Sequence, residues 1–271
     1  MSQPRVTVVT MSFDQPLPSA LSPSRLKDFQ ECPRRFQYSN VERIRQPATV
    51  ATTKGNVVHH ILEHLFHLPP EQRTHDAALS LREAAFDNEV TDEIQADIEW
   101  ATCEAQMRRD VDAILTTYFE MEDPTAVAAI GVERNIEATI NDAPLRGILD
   151  RLDQNDDGSL TIVDYKTGKP PRAGYENDAF ANSQIYAALC EAEVGQLPRN
   201  IRLLYVTHGS TLDVPVSPVV VSARAKSAAT VWQRINTFYA DGEFPADPSP
   251  RNCRWCAYKD VCRERGIDVP A

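Results

Sequence analysis

The sequence predicts a mixed α/β protein, a sheet flanked by helices, and the order of its local patterns carries that reading. Helical periodicity fills most of the first 120 positions. Three alternating segments then follow one another, and a helix and a fourth strand come next. There is no internal repeat, and 271 residues suffice to bury a large core.

Taken in order, residues 1–20 read as an irregular leader, and 21–271 as a single domain with a helical insertion at about 70–122. Ser22-Pro23-Ser24 offers a capping hydroxyl and a first-turn proline, predicting a helix to about Phe36 that carries Cys32. Gly55 is expected to break the chain before a second helix over 56–68, which Pro69-Pro70 ends. Residues 75–120 read as helical, with 94–119 one long amphipathic helix. Strands are predicted over 127–140, 144–153 and 159–167, joined by Asn141-Asp142 and Asn155-Asp156-Asp157-Gly158. A helix at 179–192, a strand at 201–207, an apolar stretch at 212–221 and a helix at 223–239 lead to a cysteine-rich end.

Composition narrows the function. The chain is 42% hydrophobic and 25% charged, ordinary for a globular protein. No apolar run is long enough to span a membrane, and the N-terminus lacks a secretory pattern. A cytoplasmic location is expected, where paired disulfides are rare. A net charge of −11 argues against coating nucleic acid non-specifically. Its distribution softens that objection. Segment 25–45 holds six basic residues against three acids, and segment 251–265 holds five against two. Both contain cysteines that would join them if they shared a ligand; the plainer reading is a pair of solvated helix faces.

Cys253, Cys256 and Cys262 are spaced C-x2-C-x5-C. Three thiolates leave a tetrahedral site incomplete, and Cys32, also among arginines beside a proline, is the best fourth ligand. Cys103 and Cys190 lie on apolar helix faces and read as small core residues. Spacing alone does not separate zinc from an iron–sulfur cluster.

The segment Leu160-Thr-Ile-Val-Asp164-Tyr-Lys166-Thr-Gly-Lys is the most informative. Strand residues two apart share a face, so Leu160, Ile162, Asp164 and Lys166 line up. On the preceding strand Arg146, Ile148, Asp150 and Leu152 do the same, placing Asp150 among aliphatics. Carboxylates there are costly unless a cation or donor meets them, and two on neighbouring strands make a hard oxygen site for Mg²⁺ or Mn²⁺. Phosphodiester hydrolysis needs an activated water and neutralised charge; metal ions supply both, and a lysine such as Lys166 adds charge stabilisation. The plain alternative is a surface Asp–Lys pair at a strand end. On the helix of Val57, Val58, Ile61, Leu62, Leu65 and Phe66, His59 falls at the edge of the apolar stripe, whereas His60, His64 and His67 project away. Imidazole suits manganese and other transition ions. Asn182 and Tyr186 share one face of the later helix.

These residues resemble the RecB-like branch of the PD-(D/E)XK nucleases, including single-domain cluster-containing exonucleases and AddB-type nuclease domains. The matching pieces are Leu21-Ser-Pro-Ser-Arg-Leu with Cys32-Pro-Arg-Arg-Phe, Gly55-x-x-x-His59, Gly147-x-x-Asp150-Arg151, Asp164-Tyr-Lys166-Thr-Gly and Cys253/Cys256/Cys262, in family order across about 21–265. The resemblance implies a restriction-endonuclease-like core. It implies Mg²⁺ or Mn²⁺ held by His59, Asp150, Asp164 and the Tyr165 carbonyl, with Asp150, Asp164 and Lys166 catalytic. It implies a 4Fe-4S cluster on Cys32, Cys253, Cys256 and Cys262, with zinc as the alternative occupant. Tyr186, Asn182, Arg34, Arg35 and Arg151 are the candidate substrate contacts. Asn182 stands where the family's Q-x-x-x-Y pattern usually has glutamine, and Gln184 turns to nearly the opposite side. The expected activity is a DNA nuclease, an exonuclease acting on ends or single strands in repair or processing. Any helicase partner must lie on another chain, because no phosphate-binding glycine loop occurs here. Two other readings remain: a non-catalytic iron–sulfur DNA-binding module, and a zinc-stapled protein with no DNA role.

Overall fold

The computed structural model describes residues 13–172, 174, 180 and 183–270. Most of the predicted leader, the start of the helix expected at 179, and Asn182 lie outside the described residues. The chain groups into two compact units: residues 47–138 with 146–224, and residues 1–46, 139–145 and 225–271.

The first of these contains most of the sheet. Its strands are β1 (Ala129–Ile140), β2 (Ala143–Gln154), β3 (Leu160–Lys166), β4 (Asn200–Tyr205) and β5 (Ser210–Pro215), adjacent in that order. β2 and β3 are antiparallel, with Arg151 opposite Val163 and Leu152 opposite Ile162. β3 and β4 are parallel, with Asp164 opposite Leu203, and β4 and β5 are antiparallel. The parallel pair requires a crossover connection, and helix Ser183–Val194 lies within it. The strand β5 falls in what the sequence showed only as an apolar stretch.

Helix Val50–His67 supplies the apolar wall of this unit. Val57, Val58, Ile61, Leu62, Leu65 and Phe66 are buried against Met107, Val111, Ile114, Leu115 and Tyr118 of helix Trp100–Met121, and against Val163 and Tyr165. Gly55 does not break this helix. Thr49 and Thr52 form a reciprocal cap that starts it six residues before Asn56. The glycine serves a close approach instead: a Cβ there would lie 3.1 Å from Thr167 Oγ1. The long helix expected over 94–119 is divided, because Glu99 adopts left-handed φ 50° between Asp92–Ile98 and Trp100–Met121.

The other unit is built on aromatic packing. Helix Pro23–Glu31 begins at the Ser22 cap as its sequence indicates. It stops before the predicted Phe36, because Cys32 is extended (φ −162°, ψ 116°) ahead of Pro33. A second turn, Pro33–Phe36, then passes into a π-type turn over Gln37–Val41. Phe29, Phe36, Phe238 and Phe244 form edge-on and tilted ring contacts with centroids within 6.5 Å. The Leu21 N–H donates to the Pro144 carbonyl at 2.8 Å, and the C-terminal turns Pro250–Cys253 and Lys259–Glu264 follow Phe244.

Candidate active site

Period-two geometry on β3 performs as expected. Leu160 and Ile162 are buried, whereas Asp164 and Lys166 carry the same face outward with side chains 17% and 42% exposed. Lys166 Nζ lies 2.5 Å from Asp164 Oδ2. That oxygen is buried, and the Lys166 ammonium is the charge that meets it. On β2 the expectation needs correction. Ile148 is 48% exposed, so Asp150 stands on a solvent-facing cleft wall, not within a continuous aliphatic stripe.

The backbone N–H of Tyr165 donates to Asp150 Oδ2 at 2.8 Å, tying the two acidic strands at the site. His59 arrives from helix Val50–His67. Its Nδ1 is 3.5 Å from Asp150 Oδ2, and its Nε2 is 3.0 Å from the Tyr165 carbonyl oxygen. Thus His59, Asp150, Asp164, Lys166 and the Tyr165 carbonyl, named from sequence, are neighbours.

Glu133 was missed. It reaches within 4.0 Å of His59 Nδ1, and ligand atoms of His59, Glu133 and Asp150 all lie within 4.8 Å of one another. An isolated acid in an alternating strand gives little signal. The backbone supplies what the pattern could not: Glu133 has φ 41°, a left-handed kink inside β1.

Electrostatics reflect crowded carboxylates. Burial, then the Asp164 carboxylate, pushes the Asp150 carboxyl up to about 6. Burial and Asp150 push Glu133 up to about 7. Burial alone would lower the Lys166 ammonium, but Asp164 and Asp150 outweigh it and the net direction is upward. The carboxylates therefore raise one another's cost of ionisation, which the nearby His59 and Lys166 partly offset.

Tyr186 closes one side. Burial raises its phenol, followed by Asp164, Asp150 and Glu133. Its ring lies where a Cβ on Gly147 would come within 2.3 Å of Cε1, so the glycine of Gly147-x-x-Asp150 admits the tyrosine. The resulting open cleft, about 440 Å³, is lined by Gly55, Asn56, His59, His60, Glu63, Glu89, Glu133, Ile148, Asp150 and Tyr186. His60 is also on this cleft, with a side chain only 15% exposed, so His59 is not alone in facing inward.

Arg151 is not a substrate contact. Its side chain is 1% exposed and forks between Glu122 and Asp153, with Nη1 donating to Tyr165 Oη at 2.7 Å. Strand alternation points it away from Asp150, into the core. Arg34 pairs with Glu243, and Arg35 with Asp28 and Glu31, all within the aromatic unit.

Cys32, Cys253, Cys256 and Cys262 line one small pocket of about 20 Å³ with Tyr38 and Tyr258. None is disulfide-bonded. Burial raises the Cys256 and Cys262 thiols, and the neighbouring cysteines add to that. Cys190 is buried and Cys103 packs on the sheet unit's core, as their helix faces indicate.

Comparison with known families decides the class. The profile of the PD-(D/E)XK nuclease superfamily matches residues 20–263. The chain belongs to the PD-(D/E)XK nuclease superfamily. Its fold is the restriction-endonuclease-like one: a mixed five-stranded sheet flanked by helices. A crystal structure of a candidate exonuclease from Eubacterium rectale is similar at TM-score 0.50 and 13% identity, covering 93% of this chain and 90% of that one. The structure of SSO0001 aligns at 14% identity and TM-score 0.33, covering 89% and 93% of the two chains. No curated protein matches. Among the described residues no helix is long and apolar enough to cross a membrane.

Proposed function

We propose that this PD-(D/E)XK protein is a Mg²⁺- or Mn²⁺-dependent deoxyribonuclease of the RecB-like branch, acting as an exonuclease on DNA ends or single strands in repair or processing. The observation that carries the proposal is the meeting of His59, Glu133 and Asp150 at one cleft, with Asp164 near enough to raise the Asp150 carboxyl and Lys166 paired to Asp164.

The donor set fits a hard or borderline divalent cation. It offers one imidazole, carboxylates and the Tyr165 carbonyl, with the Asp164 carboxylate paired to Lys166 beside them. His59 Nε2 is within hydrogen-bond distance of the Tyr165 carbonyl at 3.0 Å, and donation there leaves the Nδ1 lone pair facing Asp150 at 3.5 Å and Glu133 at 4.0 Å. His59, Asp150, Asp164 and that carbonyl would hold the ion, which supplies a water of lowered pKa and neutralises phosphate charge. Lys166, held by Asp164, presents an ammonium to the developing negative charge at phosphorus. The phenol of Tyr186, on the same cleft, offers a hydrogen bond to a phosphate oxygen. Asn182, outside the described residues, is the second candidate for that role.

The four cysteines suit a 4Fe-4S cluster that staples the N- and C-terminal segments and favours DNA binding. Zinc is the alternative occupant of the same four thiols, because cysteine spacing in the chain suits either group. A helicase on another chain would supply unwinding.

The test uses linear and covalently closed DNA with Mg²⁺ or Mn²⁺, on anaerobically prepared brown protein. Loss of linear DNA alone, abolished by EDTA, is expected. Equal attack on closed circles would remove the exonuclease assignment, no attack on either would favour a binding module, and a colourless preparation would favour zinc.

A further inference from the structure

The helix that carries His59 has a second cluster of metal donors that the nuclease chemistry does not use. His60, Glu63 and His64 present one ligand atom each within 4.8 Å of one another. Positions i and i+4 share one helix face and the two imidazoles stack with centroids 4.2 Å apart, so closing on one ion would turn the rings about their Cβ–Cγ bonds.

Hydrogen bonding settles which nitrogen His64 offers. His64 Nδ1 is 2.9 Å from the His60 carbonyl oxygen, so it must carry the proton and donate, leaving the Nε2 lone pair free. His60 Nδ1 is 3.3 Å from both Glu89 Oε1 and the Asn88 amide nitrogen, which itself donates to Glu89 at 2.8 Å. In the tautomer that donates to Glu89, His60 Nε2 is free. An imidazole held through Nδ1–H by a carbonyl or carboxylate is the usual setting of a metal-ligating histidine. His60-Ile-Leu-Glu63-His64 also has the H-x-x-E-H spacing by which zinc hydrolases seat a metal on one helix.

We infer that His60, Glu63 and His64 form a second site, selective for a zinc-class transition ion over Mg²⁺. Two imidazoles bind such ions and have little affinity for magnesium, so the two sites differ in the metal they take. Glu89, on helix Arg82–Glu89, holds the His60 ring, so occupancy would fasten that helix to Val50–His67. Glu63 is also close enough to Glu133 to raise its carboxyl, which places the ion's charge beside the nuclease cleft. This inference does not depend on the nuclease reading.

The test is the zinc content of full-length protein after dialysis against micromolar Zn²⁺ with millimolar Mg²⁺, comparing wild type, Asp150→Asn, the single variant His64→Ala and the pair His60→Gln/His64→Gln. Metal held by cysteines appears equally in all four and cancels. The account expects one zinc equivalent lost in both histidine variants and retained in Asp150→Asn, with a zinc-dependent rise in unfolding temperature lost in parallel. His64 is half-buried, with 44% of its side chain exposed, so its alanine variant is the milder change and keeps the test informative if the pair folds poorly. Equal zinc in wild type and His64→Ala would overturn the inference. So would loss of that zinc in Asp150→Asn, which would place it at the nuclease site.

Discussion

Replacing Asp150 by asparagine should make the metal-free protein more stable while removing its ability to use a divalent ion. Burial and Asp164 move the Asp150 carboxyl from its ordinary 3.8 to about 6, which corresponds to about 3 kcal/mol of native-state cost when the group is ionised. The sign follows from proton binding. Between these values the native state holds more protons than the unfolded chain, so stability falls as pH rises through the window. The cost is therefore complete above about pH 7, partial at pH 5 and gone below about pH 4. Asparagine keeps an oxygen to accept the Tyr165 N–H, now at 2.8 Å, without the charge. If about half of the cost survives relaxation, the unfolding midpoint at pH 8 rises by roughly 5 °C, at about 2–4 °C per kcal/mol for a chain of this size. Thermal unfolding in EDTA from pH 4 to pH 8, on wild type and Asp150→Asn, reads it directly. A variant equally or less stable at pH 8, or a gain that does not shrink toward pH 4, would refute the crowded-carboxylate argument.

Two further perturbations probe what supports the site. Gly147→Ala puts a methyl 2.3 Å from the Tyr186 ring, so it should cost about 1–3 kcal/mol and depress cleavage; adding Tyr186→Ala should recover most of the stability in a double-mutant cycle. Arg151→Ala strands the buried Glu122 and Asp153 carboxylates and should cost about 3–5 kcal/mol by denaturant titration. Because Arg151 is buried, the salt dependence of DNA binding by whatever folded protein remains should not change, whereas a phosphate contact would lower that slope by about one.

The acidic site was legible because strand alternation is strict: two positions separate Asp164 from Lys166, and apolar Leu160 and Ile162 orient the face. The same rule failed at Ile148, since a cleft opens a sheet face to solvent without altering the alternation. Arg151 shows the converse. A lone arginine next to the proposed metal-binding acid looks like a phosphate contact until Glu122, 29 positions earlier, is seen to pair with it. Glu133 depends on a local backbone kink, and Gly55 on the distant Thr167, neither visible in a short window. Helix limits moved where caps overrode periodicity, at Thr49 and at Cys32. His60 was assigned outward from its helix angle, but the neighbouring helix bearing Glu89 covers it.

The central claim is that His59, Asp150, Asp164 and Lys166 act together on a phosphodiester. Single-turnover cleavage of end-labelled DNA in Mn²⁺ by Lys166→Ala and Asp164→Ala, with DNA binding measured in parallel, tests it most directly. The account predicts that both variants fold, bind DNA and fail to cleave it, and either one cleaving at the wild-type rate would contradict it.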